Sequence, residues 1–572
     1  MERNDRQYTY AANINWTRGA HSLRLGVDFI KHEMNHWQPE LGGYSPRGGF
    51  NFVNGVTGLS GGASPNNFNA YAAFLLGLPG SFGKAYQFYD PMKTRELDHG
   101  YYIRDNWQAS RKLSVNLGFR VEYFPIMDRG QYGIERYDPD TNKVLVGGRG
   151  NVPRNAGTTA SPMLAPRIGF AYRANEKTVL RFGFGITNDP YPISRPIRSP
   201  YPAVIVADYQ PANAFVAAGS LATGIPSFVF PDLSTGIIDI PNAVATNSLQ
   251  PGKFRRGYIE SYNVMIQREL GAGFVLQTGY VGTHSVRQTV TYFEINAGLI
   301  PGAGANGRPL FAKYGVNTNR SMFIPMANQR YDAWQNNVTR RFARGLFLTS
   351  SYTWSKTIGI NAGNSDASSP RFYVPSQFSA NKAVADFDRK HTWTSAATWE
   401  LPFGKGKSYA TSGAAAMIAG GWQLNPTIVL YSGRPFIVGT DGSSLNAPQN
   451  TQVADQIRAD VPKFGGVGFG APFYDPTAFA AVREVRFGNM GLNALRGPRL
   501  FNMNLGVFRR FAVTERMQLQ FRAEALNFTN TPALGQPNAT VTSPTNFMAI
   551  TGTDNNTTSP QRTIRFGLRL AF

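Results

Sequence analysis

The chain has 572 residues, a formal net charge of +22, 13% aromatic residues and no cysteine. The absence of cysteine excludes a disulfide scaffold and thiolate metal sites. No apolar run approaches the roughly 18 residues that a membrane-spanning helix needs. The basic residues are scattered singly through the chain instead of being gathered on one arm or helix, so nucleic acid is not expected as a partner.

Alternation of apolar and polar residues predicts strands that pair as hairpins. Short turns separate the two strands of each hairpin, except in the sixth, where a longer link contains Gly404, Gly406 and Gly413. In chain order the predicted pairs are 8–16 with 21–30, 101–108 with 113–124, 167–173 with 178–187, 262–269 with 274–282, 332–341 with 346–354, 391–401 with 421–431, and 502–510 with 517–528.

Long stretches rich in Pro, Gly, Asn and Ser separate these hairpins and are expected to be irregular loops. They cover roughly 31–100, 125–166, 188–260, 284–331, 356–390, 432–501 and 529–562. Short and long connections therefore alternate along the whole chain. This alternation is typical of outer-membrane β-barrels, which have tight periplasmic turns and long extracellular loops. A sandwich or a propeller has no reason to show it.

The last ten residues alternate without a break. Ile564, Phe566, Leu568, Leu570 and Phe572 point one way, and the residues between them include Arg565 and Arg569. A final apolar strand that ends on Phe is typical of the strand that closes an outer-membrane barrel. We therefore expect the barrel assembly machinery to recognise this segment, in particular Phe566, Leu568, Leu570 and Phe572.

The sequence thus predicts an all-β protein, a transmembrane antiparallel β-barrel with long extracellular loops. Seven hairpins and the terminal strand give about 14–16 strands in one meander with nearest-neighbour pairing. An odd number of strands leaves one edge of the sheet unpaired, which is costly in lipid. Because the first residues are polar and lack a signal peptide, we expect residues 1–572 to be the C-terminal part of a larger barrel.

The same alternation predicts which side chains face lipid and which face the lumen. Met517, Leu519 and Phe521 should point outward, whereas Gln518 and Gln520 should point inward. The charged residues expected to face the lumen are Arg522, Glu524, Arg565 and Arg569. We expect them to pair across strands or to hold whatever fills the lumen more than to line a substrate path. Aromatic residues of an interface girdle are expected at Tyr8, Trp16, Phe29, Phe521 and Phe572.

Several segments resemble a known family. YIRDNW at 102–107 with LSVNLGFR at 113–120, and APRIGFAY at 165–172, resemble strands of TonB-dependent outer-membrane transporters. Seven further strings resemble the Oar-like branch of these transporters: YVGT at 280–283, SYTWSK at 351–356, DFDRKH at 386–391, LPFGKG at 401–406, GGWQL at 420–424, RGP at 496–498 and FRAEALN at 521–527. Each string is short, but together they cover nearly the whole chain in the right order.

The resemblance implies a receptor that imports a nutrient through a barrel of about 22 strands, with an N-terminal plug that contacts TonB. The chain lacks a segment resembling that plug, so TonB is expected as a partner only through a missing N-terminal part. Outer-membrane lipid and lipopolysaccharide are the other expected partners, and the substrate is unknown. Two alternatives stay open: a surface adhesion or structural protein whose long loops bind partners, and a passive porin.

Four short motifs are expected to be coincidental. HEMNH at 32–36 has zincin spacing but follows a predicted strand, whereas that motif needs a helix. GKS at 406–408 lacks the first glycine of a phosphate loop, DPDTN at 138–142 lacks the glycine and glutamate of a calcium loop, and GVGFG at 466–470 lacks a flanking strand and helix. No enzyme activity, cofactor or metal site is therefore expected.

Overall fold

Long strands paired in chain order dominate the computed structural model, which describes residues 2–130, 132–189, 199–360, 369–514, 516–554 and 561–572. Strands contain 49% of the residues and helices contain 7%. The long strands are β1 (Glu2–Arg18), β2 (His21–Trp37), β3 (Met92–Trp107), β4 (Leu113–Tyr123), β5 (Met163–Asn175), β6 (Thr178–Asn188), β7 (Tyr258–Gly271), β8 (Phe274–Glu294), β9 (Arg320–Ala343), β10 (Leu346–Gly359), β11 (His391–Glu400), β12 (Trp422–Tyr431), β13 (Leu500–Ala512), β14 (Gln518–Leu526) and β15 (Thr563–Ala571).

Each long strand pairs antiparallel with the next along the chain, from β1 with β2 to β14 with β15. The architecture is one antiparallel β-meander with nearest-neighbour pairing, which confirms the predicted all-β class and the predicted hairpins. Turn chemistry supports it. Ala272 and Gly273, and likewise Arg344 and Gly345, have positive φ at both central positions, as the tightest hairpin turns require.

The two ends of the meander are unpaired on one side. Among the described residues, β1 pairs only with β2, and β15 pairs only with β14. Both strands are exposed along their whole length. Their outer edges therefore present backbone N–H and C=O groups that have no partner strand in the described part of this chain.

The strands extend further than the sequence predicted. β2 and β3 stay paired up to His36 and Met92, although 31–100 was expected to be a loop; this expectation is wrong at both ends. The cause is that residues 31–36 are polar except for Met34, so their strand has no apolar alternation. Lys31 and Glu33, for example, form an ion pair at 2.6 Å along one face.

The described parts of the long connections are folded, which corrects the expectation of irregular loops. We call connections 38–91, 124–162, 189–257, 295–319, 360–390, 432–499 and 527–562 together the cap. It contains α1 (Asn67–Leu75), α2 (Pro309–Tyr314) and the 3-10 turns Asn54–Thr57, Gly304–Gly307, Phe378–Asn381 and Pro476–Ala478. Its short strands are Gly49–Asn51, Ser81–Gln87, Glu135–Asp138, Lys143–Val146, Thr158–Thr159, Val204–Tyr209, Ile237–Asp239, Val244–Leu249, Gly252–Lys253, Ala383–Val384, Pro435–Phe436, Asp455–Gln456, Phe479–Ala480 and Leu495–Arg496.

Hydrophobic clusters hold the cap together. The largest joins the last three long connections and includes Phe372, Val438, Phe473, Met548 and Ile550. A second joins the middle connections to the upper part of β9 and includes Tyr137, Val144, Tyr201, Ile238, Leu310 and Met322. Because these contacts are between segments far apart in sequence, no local periodicity predicts them.

A third helix, α3 (Gly413–Ala419), lies at the end of the sheet opposite the cap, in the link between β11 and β12. Of the described helices, none is long and apolar enough to cross a membrane.

One ion pair should make the cap sensitive to acid. Arg486 donates to both carboxylate oxygens of Asp455, at 3.0 and 2.7 Å, and these hydrogen bonds lower the pKa of Asp455 from its usual value of 3.8. A lowered carboxyl pKa contributes stability above the unfolded-state pKa and loses it as pH falls through the folded-state pKa. We expect Arg486→Gln to reduce protease resistance of the cap at pH 6, and the difference from the unmodified chain to shrink as the pH falls below 3.8 and through the lowered pKa of Asp455. A difference that stays constant as the pH falls would contradict this.

Candidate functional site

The register divides the long strands into an apolar face and a polar face. On β12, Leu424 lies opposite Trp399 of β11 and Val507 of β13, and these side chains belong to the apolar face. Thr427, on the other side of β12, lies opposite Asn504 and accepts a hydrogen bond from its Nδ2 at 3.2 Å. In a membrane barrel such a division puts the apolar face toward lipid and the polar face toward the interior.

The four charged residues expected in the lumen lie together on the polar face. Glu524 is opposite Arg565, Arg522 is opposite Gly567, and Arg569 is opposite Gln520. Arg522 donates to Gln520 Oε1 at 2.9 and 3.0 Å. Glu524 and Arg565 are thus cross-strand neighbours of opposite charge. The alternate residues Leu519, Phe521, Phe566, Leu568 and Leu570 lie on the apolar face, and Phe572 follows β15 with 95% exposure.

A row of arginines on the polar face was not singled out from the sequence. Arg24 of β2 lies opposite Arg104 of β3, which lies opposite Gly118 of β4, and Gly118 lies opposite Arg167 of β5. Gly118 places no side chain between Arg104 and Arg167. The Nε of Arg24 is buried and has no hydrogen-bond partner among the described residues. Like charges directly opposite each other destabilise a sheet, so this row is suited to hold an anionic group from whatever occupies the interior.

Carboxylates bound by one arginine border this row. Arg120 Nη1 lies 2.6 Å from Asp28 Oδ2, and its Nε lies 2.7 Å from Glu122 Oε1. Asn188 donates to the other oxygen of Glu122 at 2.9 Å. This network and the arginine row line a cavity of about 430 Å³. No single string of the sequence could reveal the site, because its residues come from five strands, β2 to β6.

Two of the family-like strings meet at the cap end of the sheet. Arg496, from the string RGP, lies 2.5 Å from Asp388, from the string DFDRKH. Asp388 is 2% exposed and also accepts a hydrogen bond from the backbone N–H of Thr357 at 2.7 Å. The neighbouring Arg389 donates to the carbonyl of Ser432 at 2.6 Å. These residues join β10 to two cap connections, so their role is structural.

Two of the motif-like strings lie in a strand and in a turn. His32 and His36 lie on β2, not on a helix, and His32 Nε2 is 3.2 Å from Asp98 Oδ2. Asp138 Oδ1 accepts from the backbone N–H of Asp140 at 3.1 Å, which makes a local turn. In the ranges that the structure describes, His, Asp and Glu side chains form no group that could hold a metal ion.

Comparison with known proteins gives the family. Residues 1–565 match the outer membrane beta barrel domain, so the chain belongs to this family and resides in the outer membrane. None of the curated proteins compared with the chain matches it.

Similar solved structures include the siderophore receptor PirA from Acinetobacter baumannii (9% identity, 99% of this chain and 54% of that chain, TM-score 0.44). Another is a mutant ferric enterobactin receptor, PfeA, from Pseudomonas aeruginosa (11% identity, 100% of this chain and 54% of that chain, TM-score 0.47). A third is the outer membrane transporter YddB from Escherichia coli (9% identity, 99% of this chain and 53% of that chain, TM-score 0.48). The chain spans about half the length of these structures.

Proposed function

We propose that this outer membrane beta barrel domain forms the C-terminal part of the barrel of a TonB-dependent, Oar-like receptor that imports a nutrient. The observation that carries the proposal is the pair of unpaired edges on β1 and β15. Each unpaired backbone group in hydrocarbon costs several kcal/mol, so both edges need partner strands. Further strands would widen the barrel to about 22, a size whose lumen holds a plug.

The polar face supports this function. A plug inside the barrel would contact Arg24, Arg104 and Arg167, whose charges lack carboxylates directly opposite them in the register. We assign the same kind of role to Arg522, Glu524, Arg565 and Arg569. In this proposal TonB acts through the plug, the barrel assembly machinery recognises β15, and the chain has no catalytic role.

Growth of a deletion strain tests the transport function. The strain is grown on defined carbon and iron sources, with and without an additional deletion of TonB. We expect a growth defect on one nutrient that the TonB deletion reproduces and that the double deletion does not deepen. A growth defect that appears whether or not TonB is present, and that adds to the defect of the TonB deletion, would identify a passive porin instead.

A second candidate, surface adhesion, is favoured by one feature of the cap. Helix α1 exposes Phe68, Tyr71, Phe74 and Leu75, each more than half exposed, and exposed apolar patches often mark interaction sites. Binding of whole cells to surfaces, compared between the natural chain and Phe68→Ser with Leu75→Ser, tests this candidate. Unchanged adhesion together with the growth defect described above would exclude it.

A further inference from the structure

A groove with a basic lining opens at the cap end of the sheet, between β5 and β6. Pairing of these strands begins only at Arg167 and Gly185, so the backbones above this pair separate and leave a cavity of about 300 Å³. Four basic side chains line it, and the described lining residues include no carboxylate. We call this cavity the rim groove; its basic residues are Lys253, Arg255, Arg256 and Arg287.

Buried neighbours fix two exposed cations at the groove. Phe254 is 1% exposed and packs in a hydrophobic cluster of the cap. Arg256 is buried and lies 2.9 Å from Glu96. The residues that alternate with these two anchors, Lys253 and Arg255, are exposed. Their backbone is therefore held in place, while their charged ends remain available to a ligand.

Arg287 supplies a third cation from a bulge in β8. The register with β9 shifts between Ser285 and Gln288, and the guanidinium of Arg287 lies 5.2 Å from the centre of the Tyr258 ring. Its Nε is buried and has no hydrogen-bond partner in the described part of the chain. A Cβ on Gly257 would lie 2.4 Å from the carbonyl oxygen of Arg287, so glycine allows the two segments this close approach.

The groove lies at the upper limit of the apolar face. Leu164 lines it, is 57% exposed and lies opposite Val121 of β4, on the same face as Tyr101 of β3. Ile186 lines it from β6. Apolar side chains below and cations above match the two parts of a membrane lipid, whose phosphates lie at the boundary of the hydrocarbon.

We propose that the rim groove binds the phosphorylated head group of a lipid of the outer leaflet. Lys253, Arg255 and Arg287 contact the phosphate, and Leu164 and Ile186 contact the beginning of the acyl chains. The lining without carboxylates makes an anion the complementary ligand, and the adjoining apolar face selects an anchored lipid over a free anion. This site is independent of transport and lies on strands remote from the unpaired edges.

Binding of lipid A to the full chain in detergent micelles tests the proposal. The variants are Lys253→Gln with Arg255→Gln, and Arg287→Gln; the matched control is Arg111→Gln with Lys112→Gln, two exposed cations in the turn at the opposite end. Heat-modifiable migration first verifies that each variant is folded. Since each cation near a membrane surface contributes about fivefold to binding, we expect the groove pair to lose at least about tenfold and the control less than about twofold.

Three results would overturn the proposal. Equal affinities of the groove pair and the control would show that overall charge, not the groove, binds the lipid. Equal binding of dephosphorylated lipid A to the natural chain would remove the role of the phosphate. Competition by inorganic phosphate at the concentration at which lipid A itself competes would identify a free-anion site instead of a lipid site.

Discussion

Replacing Arg129 by Met is expected to destabilise the cap by about 3–5 kcal/mol, because it leaves a buried carboxylate without its partner. Arg129 is 2% exposed and Glu135 is 4% exposed. The Nη2 of Arg129 lies 2.8 Å from Glu135 Oε2, and its Nε lies 3.1 Å from the same oxygen. Pulse proteolysis in urea, with cleavage followed within residues 124–162, measures the loss.

The double variant Arg129→Met with Glu135→Leu provides the control. It removes both charges, so no unpaired charge stays buried, and it should recover most of the lost stability. All eight tryptophans lie outside the cap connections, on the long strands, so tryptophan fluorescence reports separately on the sheet. A double variant as unstable as Arg129→Met would show that packing of the arginine, and not its charge, stabilises the cap.

Replacing Ile428 by Arg is expected to cost about 2–4 kcal/mol, because this residue lies on the apolar face near the middle of β12. Ile428 is opposite Ser395 and Met503. Its neighbour Thr427 lies on the polar face, so Thr427→Arg introduces the same charge at the same depth and should leave assembly unchanged. Urea unfolding in bilayers and heat-modifiable migration compare the two variants.

The free-energy cost of an outward arginine should decrease from the middle of a strand toward its ends. Leu519, also on the apolar face, is the second residue of β14 and lies close to the short turn at residues 513–517. Near the interface an outward arginine costs about 0–1 kcal/mol, so Leu519→Arg should be milder than Ile428→Arg. If arginine is tolerated equally at Ile428 and Thr427, the assignment of the two faces is wrong.

The sheet was predictable from the sequence because its signal is local. Alternation along residues 563–572 and the short turns at Gly273 and Gly345 specify strand, face and pairing within one hairpin. The cap was not predictable, because Phe372, Val438 and Met548 meet from three separate connections. The upper parts of β2 and β3 were missed for a related reason: polar residues on both faces give no period of two.

The candidate site was predictable only where one strand contains it. Arg565 and Arg569 alternate within a single strand, so their shared face followed from the sequence. Arg24, Arg104 and Arg167 come from three strands, and only the register brings them into one row. The strings containing Asp388 and Arg496 were noticed for their resemblance, but nothing in either string indicated that the two residues form an ion pair.

Nutrient uptake by the chain alone tests the central claim, that these strands are part of a larger plugged receptor. The 572 residues are expressed behind a signal peptide in strains with and without TonB, and uptake of the nutrient found by the growth experiment is measured. Because β1 and β15 each have an unpaired edge and coupling requires a plug, we expect no uptake that depends on TonB. Uptake that disappears when TonB is deleted would show that the chain works alone and contradict the proposal.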